Sequence, residues 1–108
     1  MPVEFVGQSV TLSANSTGEI KLSFQRDAEI IQFIFNSTGR AAITNIELVG
    51  KNRYITGEIE LDMLKENGGN VYTLPEPIKY EKGTDILVTF RDLSGAENKV
   101  YFGVVMRY

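Results

Sequence analysis

The sequence predicts an all-β, antiparallel β-sandwich of eight to nine strands with no substantial helix, and three observations predict it. Apolar and polar residues alternate with a period of two through most of the chain, whereas helical spacing is almost absent. The alternating runs are short, and Gly, Asn, Ser and Asp clusters punctuate them as turns do. At 108 residues, 43% of them hydrophobic, residues 1–108 read as a single sandwich domain with a real core.

Residues 2–6 suit a short edge strand, with Pro2 tolerated at its start, and residues 10–14 alternate weakly. Residues 19–25 alternate cleanly. Ile20, Leu22 and Phe24 take one face and Glu19, Lys21, Ser23 and Gln25 the other, giving a strand with one wet side. Asn-Ser-Thr-Gly occurs at 15–18 and again at 36–39. Asn and Ser bond local backbone and Gly accepts positive φ, so turn chemistry explains both copies, and their differing flanks do not support a duplication. A glycosylation reading lacks a secretory signal to go with it.

Residues 29–35 differ in kind. Ile31, Phe33 and Phe35 fall on one face, yet Ile30 and Ile34 make the other face apolar as well. Such a strand is expected to be covered on both sides, by the core and by a loop or a second subunit. Residues 41–49 and 54–64 read as a strand pair joined by the polar turn 50–53. In the second member Ile55, Gly57, Ile59, Leu61 and Met63 are expected inward, with Thr56, Glu58, Glu60 and Asp62 outward. Residues 58–66 also favour a helix, but period two covers more of the segment, and the strand is kept through about Leu61.

Residues 66–70 make a flexible loop tip. Pro75 and Pro77 exclude a central strand over 71–80 and leave an edge or an extended crossing segment. A turn at 81–84 leads into a strand over 85–91, with Ile86, Val88 and Phe90 inward. The loop 92–98 feeds the last strand, 99–108. There Val100, Phe102, Val104 and Met106 form one face, and Tyr101, Gly103, Val105 and Arg107 the other, again with apolar groups left over. A barrel, a jelly roll and an immunoglobulin-like sandwich share this pattern. The immunoglobulin form lacks its Cys and Trp core here, while terminal strands and a proline-bearing crossover before the last pair favour a jelly roll.

The chain contains no His and no Cys. Most nucleophiles, neutral-pH general bases and transition-metal ligands come from those two residues, so cysteine and serine–histidine hydrolases and zinc enzymes are excluded. No phosphate-cradling glycine motif is present, and the expectation is a non-enzyme with no catalytic residue, no metal and no cofactor. Glu58, Glu60 and Asp62 would stand about 7 Å apart on one strand face, which does not converge on calcium. Asp92 and Glu97, near Ser94 and Asn98, are the better calcium candidates. A net charge of −3 argues against a nucleic-acid partner, the one tight basic grouping being Lys51-Asn52-Arg53 in a turn. No secretory signal and no apolar run of membrane-spanning length is seen, so no membrane partner is expected.

From Pro77 to Tyr108 the chain resembles the closing strand pair of small jelly-roll virion proteins of bacteriophages. The shared features are the extended Pro77-Ile78 segment, the Gly83-Thr84 turn, the Ser94-Gly95 loop, and a terminal aromatic strand containing Gly103 and ending Arg107-Tyr108. The resemblance implies a structural capsid, decoration or appendage protein located in the virion, and brings no binding residues with it. A cytoplasmic or non-classically exported protein is the alternative location. Together with the two-faced strands, it leads to an expected homo-oligomer, trimer or larger, that contacts other virion or assembly proteins. The expected subunit interface is Ile30, Ile34, Tyr101, Val105 and Tyr108, because exposed apolar faces on a monomer promote aggregation. The alternative is a carbohydrate- or surface-binding module that uses Tyr72 and Tyr101, although such modules usually also rely on Trp, which is absent.

Overall fold

A computed structural model describes residues 2–55, 57–65 and 69–108. In chain order the elements are β1 (Val3–Leu12), β2 (Thr17–Leu22), β3 (Ala28–Ser37), β4 (Ala41–Leu48), β5 (Ile59–Glu60), α1 (Leu61–Leu64), β6 (Val71–Tyr80), β7 (Ile86–Asp92) and β8 (Asn98–Arg107). They form two four-stranded sheets, ordered β1-β8-β3-β6 and β2-β7-β4-β5, and every pairing is antiparallel. Each strand passes to the opposite sheet from its predecessor, except at β4 to β5. That interleaving, with the first strand paired to the last, is a jelly roll.

The core lies between the sheets and follows the predicted alternation. Ile20 and Leu22 enter from β2, Ile86, Val88 and Phe90 from β7, and Val100, Phe102, Val104 and Met106 from β8. Phe102 sits at its centre, its ring centroid 5.5 Å from that of Phe33 and 6.0 Å from that of Phe90, tilted and edge-on respectively. Such geometries suit the ring quadrupole, and the Phe90–Phe102 pair ties the two sheets together.

Three expectations change. Residues 3–6 and 10–12, expected in two separate segments, belong to one ten-residue edge strand, β1. On β3 the register shifts: Ile30 pairs with Met106 and Ile78, whereas Gln32 pairs with Val105 and Thr73. Ile31 is therefore a bulge residue, and a one-residue insertion reverses the alternation beyond it. Ile30 consequently joins Phe33 and Phe35 in the core, only 1% exposed, and Ile34 remains on the outside.

The predicted long strand over 54–64 shrinks to the two residues of β5, followed by the single turn α1. Gly57 has φ of 88°, which interrupts an extended run, and the helix-forming residues after Glu60 then coil. Met63 is 73% exposed rather than inward, while Ile55 and Leu61 stay buried. Thr56 and most of the 66–70 loop tip lie outside the described residues. Residues 71–80 take the edge position in the first sheet, one of the two paths that the prolines leave open.

Tyr80 locks one end of the sandwich. Its buried hydroxyl accepts the Phe24 N–H at 2.7 Å and donates to the Thr84 carbonyl at 2.5 Å, joining the segment after β2 to the β6–β7 turn. Phe24 itself stacks on Tyr108, with centroids 5.6 Å apart. Burial pushes the Tyr80 hydroxyl above the ordinary tyrosine range, the Phe24 bond opposes this, and the Asp85 charge adds to the rise. Tyr80→Phe leaves the Phe24 N–H and the Thr84 carbonyl unpaired, and should cost about 1–3 kcal/mol in urea denaturation at pH 7. The unfolded tyrosine ionises near pH 10, whereas the folded one holds its proton to higher pH. Stability should therefore fall above pH 10 in the parent protein, and this component of the fall should be missing from Tyr80→Phe.

Candidate functional site

The two sheets present unlike faces to solvent. The outer face of β2-β7-β4-β5 is polar: in register across it stand Glu19, Thr89 and Asn45, then Lys21, Leu87 and Glu47. Arg91 pairs with Glu58, and Arg40 with Glu60 at 2.6 Å. Asn45 donates to Glu47 at 3.0 Å and accepts from Arg53 at 2.7 Å. Glu58 and Glu60 of the strand-face acids weighed for calcium thus pair with arginines, and Asp62 pairs with Lys65 at 2.9 Å. The basic grouping is also engaged, Lys51 with Glu81 at 3.1 Å and Arg53 with Asn45.

The outer face of β1-β8-β3-β6 is apolar through its middle. One row across the strands reads Gly7, Gly103, Ile34, Val71, and the next reads Phe5, Val105, Gln32, Thr73. Tyr101, flanked by Ser9 and Asn36, stands in the row above, with the Lys99 ammonium 5.3 Å from its ring centroid. Arg107, paired with Glu29 at 2.9 Å, stands in the row below, beside Val3. The paired glycines leave a hollow of about 580 Å³, bordered by Ile34, Val71 and Tyr101. Gly103 cannot be replaced without movement, because a Cβ there would lie 2.8 Å from the Val6 carbonyl oxygen and 3.1 Å from Ile34.

This face collects two clues that lie far apart in sequence. Ile34 and Val105 are brought onto neighbouring strands of one surface, with Tyr101 above them. Val105 is only 3% exposed although it lies outside the core cluster. Phe5, 67% exposed, and Val3, 49% exposed, extend the same surface to the sheet edge. Neither is among the interface residues expected from sequence, nor are Gly7 and Val71, whereas Gly103 does lie on the outward face predicted for the last strand. The alternation of Val3 and Phe5 with Glu4 is the available signal, and it gains its meaning from the full ten-residue length of β1. Ile30 is not on this face, since the β3 bulge turns it into the core. Nor is Tyr108, which packs at the end of the sandwich against Phe24, with the Arg26 guanidinium 4.5 Å from its ring centroid.

The edges of the sandwich are defended unequally. β6 carries Pro75, Pro77 and Lys79, β2 is short and carries Lys21, and β5 has two residues. All are common ways of preventing strand addition. β1 is ten residues long, has Glu4 as its sole charge, and pairs with β8 on one side. Among the described residues no strand pairs with its other side.

Tyr72 lies elsewhere. It packs against the core from β6 and, with Tyr54, lines a cleft between the sheets. Tyr72 and Tyr101 therefore face no common groove.

Asp92 and Asn98 form a buried polar hub at the opposite end from Tyr80. Asp92 Oδ2 accepts the N–H groups of Asn15 at 2.9 Å and Gly95 at 3.0 Å. Its Oδ1 accepts the Ser94 N–H at 3.0 Å, the Ser94 hydroxyl at 2.6 Å and the Asn98 amide at 3.0 Å. Asn98 also donates to the Arg40 carbonyl at 2.8 Å and accepts from Gly39 N–H at 3.0 Å and the Thr38 hydroxyl at 3.2 Å. Both Asn-Ser-Thr-Gly turns are thus tied to one carboxylate–amide pair. These donors hold Asp92 well below the usual carboxylate range, the Ser94 hydroxyl bond first and the Asn15 N–H next. The same donors occupy both oxygens of the former calcium candidate, Glu97 is not among its partners, and among the described residues no three acidic groups gather to hold a metal.

No family model matches the chain, and no curated protein matches it. Among solved structures, the Drosophila NLP core is similar, a protein whose structure was described for its pentamer formation and histone binding. The two share 15% identity over 94% of this chain and 99% of that one, with a TM-score of 0.36. So loose a likeness carries no argument about function.

Asp92→Asn should be destabilised at pH 7, because an amide nitrogen then faces N–H donors. The fold favours the ionised carboxylate, so its contribution is complete above the unfolded carboxyl's range near pH 4 and is lost as pH falls through the lower folded value. The stability gap between parent and Asp92→Asn, followed by urea denaturation from pH 7 to pH 2, should narrow below pH 4. A gap constant with pH would show that the charge of Asp92 does not support the hub.

Proposed function

We propose that this chain is a non-enzymatic structural subunit that works through symmetric contacts with further copies of itself. The observation that carries the reading is the apolar outer face of β1-β8-β3-β6, continued by Val3 and Phe5 onto an undefended edge strand. Exposed apolar surface and an unpaired strand edge are both liabilities in a lone monomer, and one closed interface removes them together. The polar outer face of the other sheet would then remain toward solvent. A second copy supplies what the edge needs, namely a matching row of backbone N–H and C=O groups and an apolar side chain beside Phe5.

The resemblance of residues 77–108 to phage virion jelly rolls adds a proposed setting, a particle or appendage built of repeated subunits. The residues doing the work are the same in any setting: Val3, Phe5 and Ile34 supply apolar area, and Gly7 with Gly103 lets a partner side chain approach the sheet.

Light scattering coupled to size exclusion should give a mass at least twice the 12.1 kDa of the chain, persisting on dilution. Phe5→Lys should reduce it to the monomer mass while changing monomer stability by no more than about 0.5 kcal/mol, since the side chain is exposed. Lys21→Ala, on the other sheet, should leave the mass unchanged. A parent protein that runs as a monomer at every concentration overturns the proposal.

A further inference from the structure

We infer that the cleft between the sheets at their β5 and β6 edges is a binding site for an uncharged, largely apolar small molecule. The inference is independent of assembly through the β1 face. Its origin is a mismatch in strand pairing. Between Ile30↔Ile78 and Gln32↔Thr73, β3 has only Ile31, whereas β6 has four residues, 74–77. Pro75 and Pro77 have no N–H to donate, so this stretch cannot be drawn back into the ladder. Across from it β5 pairs through only two residues. The sandwich is left open along this side.

The opening measures about 710 Å³, inside the range of roughly 300–1,000 Å³ common to small-molecule sites. Phe33 and Ile46, both buried core residues, contribute to its lining, and Ile55, Ile59, Leu74 and Ile78 line it from the two edges. Ile59, Leu74 and Ile78 are packed against the core yet only partly buried, so apolar surface is left that the described residues do not cover.

Two features define the ligand. Charge comes first: among the described residues the lining holds one cation, Lys79, and one anion, Glu76, which offset each other and favour a molecule with no net charge. Aliphatic walls come second. A sugar, hydroxylated on all sides, would leave hydroxyls unpaired against Ile55, Ile59, Leu74 and Ile78, whereas an aromatic or hydrocarbon body would not. The hydroxyl-bearing rings of Tyr54 and Tyr72 suit a single hydrogen-bonding end on such a body.

The test is a titration of the full chain, with isoleucine and leucine methyls labelled with carbon-13, against 2-naphthol at pH 7. Decanoate and cellobiose serve as charged and sugar comparators. Saturable shifts centred on the methyls of Ile55, Ile59, Leu74 and Ile78 are expected with 2-naphthol, with at least tenfold weaker response to either comparator. Leu74→Trp should weaken 2-naphthol binding at least tenfold by filling the cleft. The methyl map of the parent protein decides the matter even if that variant does not fold. Lack of saturation up to the solubility limit, or shifts centred on Ile34, overturns the site; tighter binding of cellobiose or decanoate overturns the ligand class.

Discussion

The pairing of β8 with β1 on one side and β3 on the other is the constraint on which the rest of the molecule depends. It joins residues roughly a hundred positions apart, Val3 to Arg107, and closes the winding of the jelly roll. It sets Phe102 between Phe33 and Phe90, so the core of both sheets is registered to one strand. It also sets Gly103 between Gly7 and Ile34, which fixes the hollow on the outer face. Few contacts in this topology are local, and such folds order slowly because loop closure precedes the gain from pairing.

Polar locks at the two ends hold that winding in place. Tyr80 binds backbone at one end, and Asp92 with Asn98 gathers three turns at the other. Each replaces what a disulfide or metal does in small domains of other kinds, since the chain has no cysteine or histidine. Every donor directed at Asp92 is a backbone amide, a hydroxyl or a side-chain amide, so the hub binds structure together and has no oxygen left over for an ion.

The outer faces of the two sheets differ in chemistry. The β2-β7-β4-β5 outer face spends its charge on internal pairs such as Arg91 with Glu58, each worth about 0–1 kcal/mol at an exposed site. The β1-β8-β3-β6 outer face leaves apolar rows and a bare edge, which is where association has most to gain. The inter-sheet cleft has a third origin, the proline-bearing excess of β6 over β3, and it opens at the edge opposite β1 within the same sheet.

The sandwich class, most strand positions and the inward residues of β2, β7 and β8 are legible in the sequence, because a period of two is a local property of a pleated strand. The sequence also shows that two strands carry apolar residues on both faces. Tertiary structure alone decided which residues share a surface. Ile34 and Val105 meet because β3 and β8 are neighbours, which no local pattern states. Ile30 left that surface because of one bulge residue, and a bulge is set by the partner strand's register rather than by the bulged segment. The 54–64 segment was misread for the converse reason: its alternation was real, but Gly57 turned the backbone before the pattern could be used. The Asp92–Asn98 hub was legible only as turn residues, since its meaning lies in hydrogen bonds to Asn15 and Gly39, brought together by the winding of the chain.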